Sequence, residues 1–389
     1  MPAFESSVVS TEWPLLLECA SSHPDPGRIT ELVLSADGAR LLALAETHGL
    51  IGHLATGLRG MGASVVPLGI MQPLLERQRA QIFFSLRMSA ELFRLLDLFA
   101  TEKIEALVVK GPVLAIQAYS DPAMRSYGDL DLLVRQRDIR RATQLMIASG
   151  YRAQVSLSAI DAGKIPGQYL FSRPESQLLV ELHNDFTLRY FPRRLPIEKF
   201  FARQIRVPLD AREAPALSVE DELVLICIHG AKHLWERLIW IADVAALVTR
   251  QTSLDWERVT ASAEEVGAER MLHTGLRLAT DLLKTQLPGK VLTRVRRDTV
   301  ATRLAGQVPE WLPDAGEAPP GLFERAVFRL RMRGGVLAAP AYLLRLSLSP
   351  TEEDWKSGSE EKHSWLPAAI RRPFRLARKY RREDKFRSE

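Results

Sequence analysis

The sequence predicts an α+β protein, and three observations carry that prediction. Two short apolar runs, Ala106–Lys110 and Leu130–Arg135, are dense in Val and Leu and bounded by Gly or Pro, as buried strands are. From there to His183 the chain alternates strand-like and helix-like stretches. Upstream and downstream, apolar residues recur at helical spacing instead: Leu92, Leu95, Leu96 and Phe99 fall at i, i+3, i+4 and i+7.

Taken in order, residues 1–29 are mixed and punctuated by Pro and Ser, which predicts partial order at best. Helices are expected from about Arg28 to Gly60, with Leu41, Leu42, Leu44 and Ala45 on an apolar stripe broken at Gly49 and Gly52. A longer helix follows from about Pro73 to Ala100, and its phenylalanines (83, 84, 93 and 99) read as core. Strand 106–110 leads into a helix over 111–119, a loop over Ser120–Tyr127, strand 130–135 and a helix over 138–149. Asp138 is placed to cap that last helix and Gly150 to follow its end. Further strands fit Tyr151–Ser156, Gln168–Phe171 and Gln177–His183. After Arg189-Tyr190-Phe191-Pro192 the chain reads as helical again, opened by the capping box Ser218-Val219-Glu220-Asp221 and continued through 256–286. Val308–Gly321, rich in Pro and Gly, reads as a linker or surface loop, and Phe323–Leu346 as helix. No internal repeat is found.

The chain has 389 residues, enough for two or three domains with a sizeable core. Its two cysteines, Cys19 and Cys227, form no metal or redox spacing, which fits a reducing cytoplasm. The N-terminus shows no signal peptide, and no stretch approaches the ~20 apolar residues that span a bilayer, so a cytoplasmic protein with no transmembrane segment is expected. The net charge of +5 is an average that misleads. Residues 370–389 carry nine Arg or Lys against three acids, so the tail holds +6 and the rest −1. Phe374, Leu376, Tyr380 and Phe386 interleave those charges, a pattern that permits contact with an anionic partner such as a membrane surface or nucleic acid.

Chemistry concentrates in Leu107-Val108-Val109-Lys110-Gly111-Pro112 and, fifteen residues later, Gly128-Asp129-Leu130-Asp131. Residues i and i+2 of a strand share a face, so Asp129 and Asp131 project together, their Cα atoms roughly 6–7 Å apart. Carboxylates so placed repel unless a cation sits between them, and magnesium, which takes oxygen ligands and keeps waters and phosphate oxygens, is the natural one. Gly111 follows a strand and opens a helix, a turn that lets backbone N–H groups approach a phosphate. Glu181 ends the apolar run Leu178-Leu179-Val180. Lys110 and Arg125 are candidates for gripping phosphate oxygens. His229, His233, Arg237 and Trp240 have roughly helical spacing, but Gly230 stands where a zinc peptidase needs Glu. No phosphate-binding Walker loop, dinucleotide fingerprint or Gly-x-Ser-x-Gly elbow occurs.

The ordered set of Lys110-Gly111, Arg125, Gly128-Asp129-Leu130-Asp131 and Glu181-Leu182-His183 resembles the uncharacterised nucleotidyltransferase family of the polymerase-β-like superfamily. The resemblance runs from about residue 30 to about 345 and extends to His229-x-x-Lys232-His233-x-Trp235-x-Arg237. It implies a small mixed-sheet nucleotidyltransferase core over 101–205; with the helical patterns on either side this gives a helical N-terminal region over 1–100 and a helical C-terminal domain over 206–347, and the charge count adds a basic tail over 348–389. It also implies Asp129, Asp131 and Glu181 as catalytic metal ligands for two Mg²⁺ ions, and Lys110, Gly111, Arg125 and Gly128 at the nucleotide. The superfamily usually has Gly or Ser after the turn glycine, where this chain has Pro112, and its third acid is often Asp. The implied reaction moves a nucleoside monophosphate from an NTP to a sugar phosphate, small molecule or modified peptide. The reading from another class is a nucleic-acid- or membrane-surface-binding protein with a degenerate core; the complete carboxylate set speaks against it.

Overall fold

A computed structural model of the protein describes residues 11–61, 65–154, 160, 167–174, 178–185, 195–313 and 320–333. The basic tail, the last residues of the expected strand Tyr151–Ser156 and the second half of the expected helix Phe323–Leu346 lie outside the described residues.

Five helices open the chain: α1 (Glu12–Ala20), α2 (Pro26–Ser35), α3 (Gly38–His48), α4 (Ile51–Arg59) and α5 (Leu68–Thr101). Order therefore begins earlier than Pro and Ser punctuation predicts, because Leu15 and Leu16 are fully buried against the helices that follow. Asp25 caps α2 by accepting from the Gly27 and Arg28 N–H groups, and Asp37 caps α3 through Arg40. Gly49, left-handed at φ 73°, ends α3, whereas Gly52 lies inside α4.

The sheet is built from β1 (Ala106–Val109), β2 (Asp129–Val134), β3 (Arg152–Ala153), β4 (Gln168–Arg173), β5 (Leu178–His183), β6 (Ile205–Leu209) and β7 (Arg212–Ala216). Strand order is β3-β4-β5-β2-β1-β7-β6, with β2/β5 and β1/β7 parallel and the rest antiparallel. Between them run α6 (Gly111–Tyr119), α7 (Ile139–Ala148) and α8 (Ile197–Ala202). Helix α6 has the expected bounds. Asp138 takes the N-cap position of α7 but its carboxylate caps nothing; it lies 3.7 Å from Arg137 and 3.9 Å from Arg141.

The β6–β7 hairpin corrects the expectation that the chain is purely helical after Pro192. It crosses the expected boundary at 205, so the sheet extends to Ala216. Ile205, Val207 and Leu209 do alternate at the strand period, and Pro208 is tolerated because β6 is the sheet edge. Seven helices complete the described chain: α9 (Val219–Lys232), α10 (Leu238–Arg250), α11 (Trp256–Val266), α12 (Glu269–Leu283), α13 (Gly289–Arg297), α14 (Thr299–Trp311) and α15 (Leu322–Arg331). Ser218 caps α9 through the Asp221 N–H, as the sequence pattern predicts. Helix α14 runs into the expected linker as far as Trp311, with Pro309 inside it. Among the described residues no helix is long and apolar enough to cross a membrane.

Strand alternation divides the core in two. Val108, Leu130, Leu132 and Val134 face Met88, Leu92, Leu95 and Phe99 of α5 and Ile139, Ala142 and Met146 of α7. Leu107, Val109 and Leu133 face the other way, into one continuous cluster shared by the N-terminal helices (Leu15, Leu41, Leu54) and the C-terminal ones (Leu225, Trp235, Leu272). While most of α5 packs on the opposite face, helices α1–α4 and the C-terminal helices thus form a single helical layer. It is stitched by Lys284 on Glu18 at 2.8 Å and by the Leu238 N–H donating to His48 Nδ1 at 3.1 Å. That layer covers the sheet face on which Asp129 and Asp131 lie.

Candidate active site

The turn from β1 into α6 is set by two consecutive positive φ angles, 55° at Lys110 and 48° at Gly111. Glycine accepts that backbone; a Cβ there would meet nothing nearer than the Asp129 carbonyl at 3.9 Å, so the space above the turn is open. Lys110 is held in its sparsely populated conformation by Glu222 of α9, whose Oε1 accepts the Lys110 N–H at 3.0 Å. Glu222 is fully buried, its Oε2 has no partner, and burial raises its carboxyl to about 7 although the Lys110 charge opposes this.

Parallel pairing of β2 with β5 sets Asp131 beside Glu181 and Leu133 beside His183. Asp129, Asp131, Glu181 and His183 therefore share a face. Asp131 is 4 % exposed and accepts from Lys110 Nζ at 2.9 Å and His183 Nε2 at 2.8 Å. His183 Nε2 also lies 3.4 Å from Glu181 Oε2, which accepts from the Gln168 amide. Burial alone would raise Asp131, but Lys110 and His183 outweigh it and hold the carboxyl well below its ordinary range. Against its burial, hydrogen bonds to Asp131 and Glu181 hold His183 above its ordinary value. Asp129 has no such partner: burial, then Asp131 and Glu181, raise it from 3.8 to about 6.

The facing wall comes from the ends of α9 and α10. His229, Lys232 and His233 fall at i, i+3 and i+4 on one side of α9. The two imidazoles stand 4.7 Å apart, and the Trp240 ring is 5.2 Å from each. Burial lowers both, His233 to about 3 with Lys232 contributing, so both rings are neutral. Arg237, at the start of α10, donates from Nε to the Thr47 carbonyl at 2.9 Å.

All seven residues singled out from the sequence, Lys110, Gly111, Arg125, Gly128, Asp129, Asp131 and Glu181, line one cleft of about 430 Å³ between these walls. The two cations among them are engaged within the protein. Lys110 is ion-paired with Asp131 and within 3.5 Å of His229 Nδ1. Arg125 donates from Nε to both oxygens of Asp243, at 3.1 and 3.0 Å, and Tyr119 donates to the same carboxylate at 3.0 Å. The sequence reading gave no role to His183, Gln168 or Glu222, and named Lys232 only within the resemblance over His229–Arg237. For His183 the signal was present, two residues after Glu181 in the same strand.

A divalent cation suits this donor set. Ligand atoms of Asp131, Glu181 and His183 lie within 4.8 Å of one another, and Asp129 shares their face. Two or three carboxylates around one point are what a hard cation takes. Against known proteins, a family model described as an uncharacterised nucleotidyltransferase matches residues 35–284, well over half of the chain. A comparison with curated proteins returns no match. The chain belongs to the uncharacterised nucleotidyltransferase family.

Proposed function

We propose that this member of the uncharacterised nucleotidyltransferase family transfers a nucleoside monophosphate from an NTP to an acceptor hydroxyl or phosphate, with Mg²⁺ required. The observation that carries the reading is the β2/β5 register: it sets Asp131 beside Glu181, with Asp129 two residues back on the same face, in the cleft where α6 begins. Asp129, Asp131 and Glu181 would hold two magnesium ions, whose charge would offset that of the phosphoryl oxygens in an in-line displacement. His183, bonded to two of these carboxylates, orients them; magnesium itself prefers oxygen. The acceptor oxygen attacks the α-phosphorus, the bond to the β-phosphate breaks, and pyrophosphate leaves with the electron pair. A hydroxyl acceptor gives its proton to a carboxylate of the wall; a phosphate acceptor attacks as the anion. Gly111 and Gly128 leave room for the phosphates beside the start of α6, since a Cβ at Gly128 would meet nothing within 4 Å. A sugar phosphate, a small hydroxyl compound or a modified peptide is the acceptor, and the reducing cytoplasm, where free Cys19 and Cys227 are stable, is the compartment.

The test incubates the protein with each NTP, Mg²⁺ and candidate acceptors or cell extract, followed by mass spectrometry and a pyrophosphate assay. An NMP adduct with matching pyrophosphate release, both absent in Asp131→Asn, is expected. Folded wild-type protein that releases no pyrophosphate from any NTP would overturn the reading.

A further inference from the structure

Four cations line the cleft, and they are not equivalent. Lys110 is neutralised by Asp131 and Arg125 by Asp243, the latter pair almost wholly buried. Lys232 and Arg237 form no ion pair with a carboxylate among the described residues; the one side-chain bond of Arg237 runs to the neutral Thr47 carbonyl. Both are half-buried, and burial pulls both below their ordinary values, with Lys110 adding to the effect at Lys232 and Arg125 at Arg237. Two cations held in a partly desolvated cleft, near other cations, are costly unless an anion completes the site. The ring cluster of His229, His233 and Trp240 lies alongside and, being neutral, supplies no such anion.

We infer that Lys232 and Arg237, rather than Lys110 and Arg125, grip the polyphosphate chain of the ligand. The inference rests on the transfer reading for its choice of an NTP, but the anion site itself does not depend on chemistry. A polyanion lying between the carboxylate wall and these two side chains is bound from both sides, by cation on one and by metal-holding carboxylates on the other. The guanidinium of Arg237 offers a planar fork for phosphate oxygens, and Lys232 a point charge. The flat faces of Trp240 and the two histidines then border the polyphosphate where a nucleoside follows it.

Calorimetric titration with inorganic tripolyphosphate in saturating Mg²⁺, which neutralises the carboxylate wall equally in every variant, tests the grip without the chemistry. The wild type is expected to bind, more weakly as salt rises. Lys232→Met and Arg237→Met are each expected to bind at least about tenfold more weakly, the loss of one charge-assisted contact. Lys232→Arg keeps the charge and is expected to keep binding, which separates charge from packing. Lys290→Met, an exposed lysine outside the cleft, controls for net charge. Wild-type protein that ignores tripolyphosphate, or Met variants that melt normally and bind it as tightly as wild type, overturn the inference. Tripolyphosphate binding without NMP transfer from any NTP would leave the subsite standing and sink the transfer reading. Transfer at wild-type KM in both Met variants would do the reverse.

Discussion

The two walls of the cleft are built by different means. Asp129, Asp131, Glu181 and His183 sit on adjacent strands, where i, i+2 spacing and one register place four side chains on a shared face. His229, Lys232, Arg237 and Trp240 come from the end of one helix and the start of the next, so their convergence depends on how α9 turns into α10. Strand geometry makes the acidic wall rigid and local; the cationic wall is only as well placed as the packing behind it. Nucleotide chemistry is therefore expected to be most sensitive to single atoms on the sheet side and to packing on the helix side.

The largest effect is expected at Asp131, which combines metal-holding geometry with contacts to Lys110 and His183. Asp131→Asn should lower NMP transfer by about 10³-fold or more, since several kcal/mol of charge stabilisation at the phosphoryl group disappears. Carboxylate repulsion alone would predict that the same change stabilises the fold. The ion pair reverses that sign: the buried Lys110 ammonium loses its counter-charge, which costs roughly 3–5 kcal/mol. Steady-state turnover and thermal melts check both parts, and near-normal turnover in Asp131→Asn would end the catalytic assignment.

Asp243→Asn probes the other engaged cation. It strips Arg125 of its only acidic partner among the described residues and leaves a buried guanidinium, again at roughly 3–5 kcal/mol. If Arg125 served the ligand instead of the fold, melting would be little changed and tripolyphosphate would bind more tightly. Either outcome is read from melts and titration on one variant.

At Asp129 the sign is opposite. Its carboxyl is raised from 3.8 to about 6 by burial first and by Asp131 and Glu181 next. A raised acid costs nothing below its unfolded value, where it is protonated in both states. The cost grows as pH rises through the folded value and is complete above it. Asp129→Asn should therefore raise stability by up to about 3 kcal/mol near neutral pH and above, and by almost nothing near about pH 4. Melts of both proteins across that range check it; a gain that persists in acid would show that the raised carboxyl is not the cause.

The acidic wall was legible in the sequence because its information is local: Asp129 and Asp131 are two residues apart, and Glu181 closes an apolar run. Arg125 was visible as a candidate residue, but its pairing with Asp243, 118 residues away, could not be read locally. The pairing of Lys110 with Asp131 likewise follows from the antiparallel β1/β2 register, which sets Val109 beside Asp131 and delivers the Lys110 ammonium to that carboxylate. The β6–β7 hairpin was hidden by Pro208, Pro215 and its charges, although its alternation of Ile205, Val207 and Leu209 was there to be counted. That N- and C-terminal helices share one core could not be read from either, because each helix shows only that it has an apolar face, not which face it meets.

The last prediction reaches the helix wall through its packing. The chain leaves α9 through two left-handed residues, Leu234 at φ 57° and Trp235 at φ 56°, and the fully buried Trp235 ring folds back over the helix. It rests on Gly230 and Gly275: a Cβ would fall 2.4 Å from the ring at the first and 2.7 Å from Cys227 Sγ at the second. Gly230, which spoke against a zinc peptidase in the sequence, is thus the floor that lets Trp235 close the turn and set Arg237 and Trp240 into the cleft. Gly230→Ala cannot be absorbed by a flexible side-chain tip, because the atoms met belong to a rigid indole in a filled core. Such overpacking typically costs about 1–3 kcal/mol. The displaced turn should carry Arg237 with it, so tripolyphosphate binding weakens several-fold. Binding of Mn²⁺ at the carboxylate wall, followed by calorimetry, should be unchanged, since those carboxylates are set by the β2/β5 register and not by the turn after α9. A variant that melts and binds tripolyphosphate as wild type does would show that the cationic wall is placed by something other than this turn.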